Sequence, residues 1–392
     1  MKKLLFIVSL SIPLFALASQ DKPDGDLGQF MQANQNSELT IAYDDLDAFL
    51  DSAVYNVGHS TREKASASNG ITGTYMRERA NRLTALEGNR IFFQAFENDA
   101  YAEVLTTLQK SLETLPDAAP LSSFNKNEQL AYWLNLYNFT MINTLVKALP
   151  YPDIGRMLAD ENDPLMDRKL LTVSGVPLSL NDIKFRILKE KYDANPLILY
   201  GLFHGVIGGP SIQVKAFRGY KVWRQLEQSA IEFIHSNRGS YYGGRLSAWY
   251  ADNLAFFNND KAVLKAHVLD YLSDDIRDDI ASTPADALKL DIHDHNLADI
   301  AGGRQFGAGL ANNRAALIDA GRSSQQGVGM TQSFIGDTLL SSAKFNVRFS
   351  DHEIEMLQKM KDKNAVSRGR VTITDMLLQE LEEDASSSDN QP

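Results

Sequence analysis

"QLAYWLNLYNFTMINTLVKAL", residues 129–149, is the stretch from which the rest of the chain is read. Its apolar residues recur on every face of a 3.6-residue repeat, which predicts a helix buried all round rather than one with a wet side. The preceding "SSFNKNE" supplies a start signal. Asn125 can cap the open backbone amides, and Glu128, three residues on, can reach back to the cap's own N–H. Pro150 ends the helix, because proline has no amide to continue the ladder. Asn135 and Asn138 lie one turn apart on one side. A buried amide left unpaired costs about 1–3 kcal/mol, so each is expected to bond to loop backbone. The sequon "NFT" at 138–140 is then accidental, since a glycan acceptor has to be on the surface.

A helix of this kind must be covered on all sides, and the flanking chain supplies the material. Upstream, helices are expected over 43–55, 74–87 and 97–115, the last stopping before Pro116. Downstream, "KLLTVSGVPLSL" (169–180) reads as a hairpin turning at Ser174-Gly175. Ser179 then caps a helix that turns Ile183, Ile187 and Leu188 inward, and further helices are expected over Tyr220–His235 and Asn253–Leu272. The fold class is α+β, mainly helical, with one small antiparallel sheet.

Segments of different character flank this body. Residues 1–18 place Lys2 and Lys3 before an apolar run and end on Ala16-Leu17-Ala18, the pattern of a cleaved secretory signal peptide. The apolar run is shorter than the roughly 20 residues that span a bilayer and contains Pro13, and no later stretch is apolar enough to serve. Residues 19–40 read as a poorly ordered lead-in, 41–283 as the main domain, 284–380 as a helical extension with one helix near 308–320, and 381–392 as a disordered acidic tail. The expected location is therefore the periplasm or the medium. Cysteine is absent from all 392 residues, which excludes a disulfide, a thiolate metal site and a sulfur nucleophile. The formal charge of −11 opposes binding to phosphate backbones, so no nucleic-acid partner is expected.

Three stretches taken together, "NEQLAYWLNLYNFTMINTLV" (127–146), "LLTVSGVPLSLNDIKFRIL" (170–188) and "RLSAWYADNLAFF" (245–257), with the segment around His204 between the last two, resemble the "domain of unknown function 547" family of bacteria and plants. The likeness covers about 125–272, and 43–124 loosely. Members of that family carry a histidine in the helix after the serine-leucine start, and two cysteines, the second followed by proline, in the glycine-rich segment. At the matching places this chain has Phe185, preceded by Lys184, and then His204 and Gly209, the latter still followed by Pro210. The resemblance thus implies a site whose chemistry has been lost here, and no catalytic residue is assigned.

"GLFHGVIGGPSIQVKAF" (201–217) carries the central question. Imidazole can hold a metal or move a proton, and Gly208, Gly209 and Pro210 would let a ligand approach the backbone. Against this, the neighbours Phe203, Gly205, Val206 and Ile207 offer His204 no partner, and general acid–base work needs one. The preferred reading is a ligand-binding loop formed by His204, Asn135, Asn138, Gly208, Gly209 and Pro210, with Trp249 and Tyr250 after a glycine turn. The chain is then an exported binding or accessory protein for an unidentified ligand or protein partner, with no cofactor. One alternative is a hydrolase or transferase using His204 with Ser211 or Asp182. Another is a metal-dependent role through His293 and His295 in "DIHDHNLAD" (291–299), with Asp291 or Asp299 completing the set.

Overall fold

The computed structural model describes residues 27–65, 81–97, 99–148, 154–160, 162–272 and 274–300, with 355, 356, 359 and 360. Residues 1–26, where the signal peptide was expected, the residues beyond Ile300 apart from those four, and the acidic tail lie outside them. Most of the expected 74–87 helix is also outside, and its described part, 81–87, is turns.

The central helix is α3, Lys126–Lys147. It is buried on all faces, from Leu130 to Val146 with only Thr144 partly open. Before it come α1, Asp44–Ala53, and α2, Asp99–Ala118. After it come α4, Ile154–Ala159, and a helix whose middle, Asp182–Leu188, is wound as a π-helix before it closes in α5, Lys189–Lys191. Further along come α6, Val222–Ile234, α7, Lys261–Tyr271, and α8, Asp274–Ser282. The protein is α+β and mainly helical, as expected, but the single sheet becomes three among the described residues. Val54–Tyr55 (β1) pairs with Arg90–Ile91 (β2), and Leu171–Val173 (β3) with Val176–Leu178 (β4). Ser240–Tyr241 (β5) and Arg245–Ser247 (β6) form a hairpin that Lys289–Ile292 (β7) joins in parallel. The expected hairpin is β3–β4, and both turn residues, Ser174 and Gly175, take positive φ.

Several expectations are corrected by tertiary contacts. α2 does not stop before Pro116 but runs through it to Ala118. Proline leaves the carbonyl four residues earlier without its donor, and the hydroxyl of Tyr132 on α3 donates to that carbonyl, Leu112 O, at 2.9 Å. The helix expected over Asn253–Leu272 is two pieces, a 3₁₀ segment Ala248–Phe257 and α7, because Asn258 and Asn259 both take left-handed φ and Asp260 caps a new start. The lead-in enters the core at two points: Leu27 and Phe30 are buried, and the Phe30 ring meets Trp133 edge-on at 5.1 Å, while most of residues 31–40 are exposed. Buried Lys191 holds this segment by donating to the carbonyls of Phe30 and Gln32. No break in packing falls at 283/284, since β7 and residues 294–298 bond to the main body.

Glu128 also departs from its expected role. Asn125 caps α3 by accepting from Glu128 N at 2.9 Å. The Glu128 carboxylate, instead of returning to the cap, accepts from Ile41 N at 2.9 Å and from the Gly219 amide. It joins the N-terminal segment to the chain that leaves the glycine loop.

Candidate functional site

Loop 201–217 crosses the side of α3 that carries the two asparagines. Each asparagine grips it with both ends of its amide. Asn138 Nδ2 donates to Gly201 O and Asn138 Oδ1 accepts from Phe203 N, both at 2.9 Å. Asn135 makes the same pair with Phe217, donating to its carbonyl and accepting from its amide, again at 2.9 Å. Both ends of the loop are thus fixed to one rigid helix, with every amide atom used as a buried polar group requires. The loop-backbone bonds expected from the sequence are these.

Between the two grips, the loop backbone bonds to chain distant in sequence. Ile207 N donates to Asn296 O and Gly208 N to Asp294 O, while Ala298 N donates to Gly205 O. Ser247 Oγ donates to Gly208 O, and the buried Arg238 guanidinium to Gly209 O. Gly208 is required by this closeness, since a Cβ there would lie 2.7 Å from Asp294 N. Gly205 sits at φ +80 against Leu145, which also demands glycine. The glycines therefore serve backbone packing at these two positions, and Pro210 beside them is buried.

His204 is 7 % exposed, and its Nε2 has no hydrogen-bond partner among the described residues. Burial, with the nearby Lys184 charge adding to it, pulls the imidazole down to about 3, so the ring is neutral at ordinary pH. Its edge meets the Trp249 ring at 6.3 Å between centroids, with the planes at 87°. Neither partner offered for catalysis reaches it. Ser211 Oγ accepts from Asn89 N at 3.0 Å and from Arg238 at 3.1 Å. Asp182 accepts from Ser179 N and Lys169 at 2.7 Å and from Arg186 at 3.2 Å, and those bonds hold its carboxyl below the usual range despite desolvation. Both side chains have structural employment elsewhere.

Trp249 and Tyr250 lie inside an aromatic cluster. Tyr250 OH and His267 Nε2 flank Tyr200 OH, each at 3.0 Å, and the Tyr200 and His267 rings stack at 5.7 Å. Burial lowers His267 to about 4. Tyr200 and His267 were not singled out in the sequence, where each looks like an ordinary member of an apolar run.

His293 and His295 stack on each other at 5.3 Å, yet the proposed carboxylates are engaged. Asp291 pairs with Arg245 at 2.9 Å, and buried Asp299 accepts from Phe93 N. Among the described residues no group of three or more histidine, aspartate or glutamate side chains could hold a metal. No described helix is long and apolar enough to cross a membrane.

Lys184 stands directly before Phe185, at a place the resemblance singles out, and was assigned no role from sequence. It is buried in the π-helical segment among Ile183, Ile187 and Leu188, with its ammonium 4.3 Å from the Phe185 ring centre. A lysine inside an apolar helical repeat was the available signal. Phe185 in turn packs on Phe256 at 6.1 Å, which sets the π-helical segment against the 3₁₀ segment that carries Trp249.

The fold and loop define a class: a helical α+β domain around one buried helix, whose paired asparagines hold a glycine loop shut over a neutral histidine. Residues 121–234 match the model of the family described as "Protein of unknown function, DUF547", over a shorter span than the sequence resemblance suggested. No curated protein matches the chain, and no solved structure does.

Proposed function

We propose that this is an exported binding or accessory protein, a member of its family that holds a ligand beside the glycine loop without converting it. One observation carries the reading: His204 stands where the resemblance puts a cysteine, and its buried Nε2 has no partner among the described residues while Ser211 and Asp182 are committed to other bonds. Acid–base or nucleophilic catalysis needs two groups in contact. Binding needs only unsatisfied groups facing a ligand. Export rests on the charged and apolar pattern of residues 1–18.

The test pairs turnover with binding on the protein lacking residues 1–18. A panel of ester, amide and phosphate-ester substrates should show no conversion, while a thermal-shift screen of small metabolites should find compounds that raise the melting temperature. A conversion that vanishes in His204→Ala, with the fold retained, would overturn the reading in favour of a hydrolase.

A further inference from the structure

Lys184, His204 and Trp249 come from three separate elements: the π-helical segment, the glycine loop and the 3₁₀ segment after β6. Two of them bring a buried polar atom with no hydrogen-bond partner among the described residues, and the third brings a buried ammonium that rests on the Phe185 ring. Trp249 Nε1 and His204 Nε2 are without hydrogen-bond partners. Lys184 is 3 % exposed and makes no hydrogen bond or ion pair with a described residue. The neighbouring basic side chains, Lys169 and Arg186, both bond to Asp182. Asp167, whose charge favours the Lys184 ammonium from a distance, accepts instead from Asn181, and Asp252 is exposed. A buried ammonium that meets an aromatic face but no carboxylate still costs several kcal/mol. An apolar side chain at 184 would avoid that cost, so the lysine lowers the stability of the fold.

Resting on the binding reading above, we propose that these three side chains form a site for a small monocarboxylate. One carboxylate oxygen accepts from the Lys184 ammonium, the other from the Trp249 indole N–H, and His204 Nε2 faces the same group. Charge selects the class. With the imidazole neutral and Lys184, lowered to about 8 by burial, still protonated at pH 7, the site carries a single positive charge and is matched by a monoanion. A phosphate dianion would leave one buried charge uncompensated. The rings of Phe185, Phe256 and Trp249 add an apolar wall, which suits a short hydrocarbon tail.

The chain has three tryptophans, Trp133, Trp223 and Trp249, so selective nitrogen-15 labelling of tryptophan gives three indole N–H signals, and Trp249→Phe assigns the relevant one. The protein lacking residues 1–18 would be titrated with sodium acetate and sodium butyrate, with inorganic phosphate as the second arm and sodium chloride as the ionic-strength control. Acetate or butyrate should move the Trp249 signal saturably, leaving Trp133 and Trp223 in place. Lys184→Met should weaken that response at least about tenfold, the loss expected for a charge-assisted hydrogen bond. The two unmoved signals report that this variant is folded, and its melting temperature should exceed that of the parent in ligand-free buffer. No carboxylate response, a response to phosphate alone, or an equal response in Lys184→Met overturns the site. None of these touches the binding reading itself, which falls only to His204-dependent turnover.

Discussion

A Cβ placed on Gly209 lies 3.4 Å from the Cβ of His204. Disulfides hold their Cβ atoms about 3.5–4.5 Å apart, so a shift of tenths of an ångström makes the two positions bridgeable. The double variant His204→Cys/Gly209→Cys, in a chain with no other cysteine, is expected to oxidise to an intramolecular disulfide. Intact-mass measurement and thiol titration before and after reduction would read this. Two free thiols persisting under oxidising conditions would contradict the geometry.

The asparagine grips should be worth more than ordinary side-chain bonds. Asn138→Ala leaves Gly201 O and Phe203 N buried without partners, which predicts a loss of about 2–4 kcal/mol by urea unfolding. Asn138→Asp should be worse than a simple deletion of one bond, since a carboxylate oxygen would face the Gly201 carbonyl. A loss below the cost of one buried hydrogen bond would mean that the loop relaxes and finds water.

Acid should destabilise the fold through its buried histidines. His204 and His267 are lowered by burial from 6.5 to about 3 and about 4. Between those values and 6.5 the unfolded chain binds more protons than the folded one, so stability is full above about pH 6.5 and falls as pH drops toward 4 and then 3. Each histidine adds up to about 1.4 kcal/mol per pH unit within its window. Melting temperatures across pH 7 to 4 should fall less steeply in His204→Leu than in the parent. Parallel curves would show that His204 takes up no proton on unfolding.

Tyr132→Phe tests why α2 tolerates Pro116. Without the hydroxyl, Leu112 O has neither its helical donor nor the substitute, and the predicted cost is about 1–2 kcal/mol in chemical denaturation. A neutral substitution would mean that another donor reaches Leu112 O.

What could be read along the chain was whatever local chemistry imposes. An apolar residue on every face of 129–149 is a statement about α3 alone, and it placed the core. The Ser174-Gly175 turn, the Asn125 cap and the demand of Asn135 and Asn138 for loop backbone follow from residue type and spacing in the same way. The resemblance located His204, Phe185 and Gly209. Legibility ended where a residue's role depends on a partner far off in sequence. Pro116 reads as a stop until Tyr132 supplies the missing donor, and Glu128 reads as a capping-box residue until Ile41 and Gly219 claim its oxygens. Residues 19–40 read as polar lead-in until the core takes Leu27 and Phe30 and Lys191 bonds to the carbonyls of Phe30 and Gln32.

The site divides along the same line. By itself the sequence determined that no cysteine chemistry is available and that a histidine sits in an apolar, glycine-rich run. Only the tertiary structure decided that Ser211 and Asp182 are unavailable to it, that the Trp249 ring packs against it with its indole N–H unmatched among the described residues, and that the Lys184 ammonium, resting on Phe185, carries its charge nearby. The reason is that a hydrogen bond or a buried charge is settled by what lies within a few ångströms in space, and 201–217 borrows those neighbours from α3, the π-helical segment and residues 294–298, which the linear order keeps far apart.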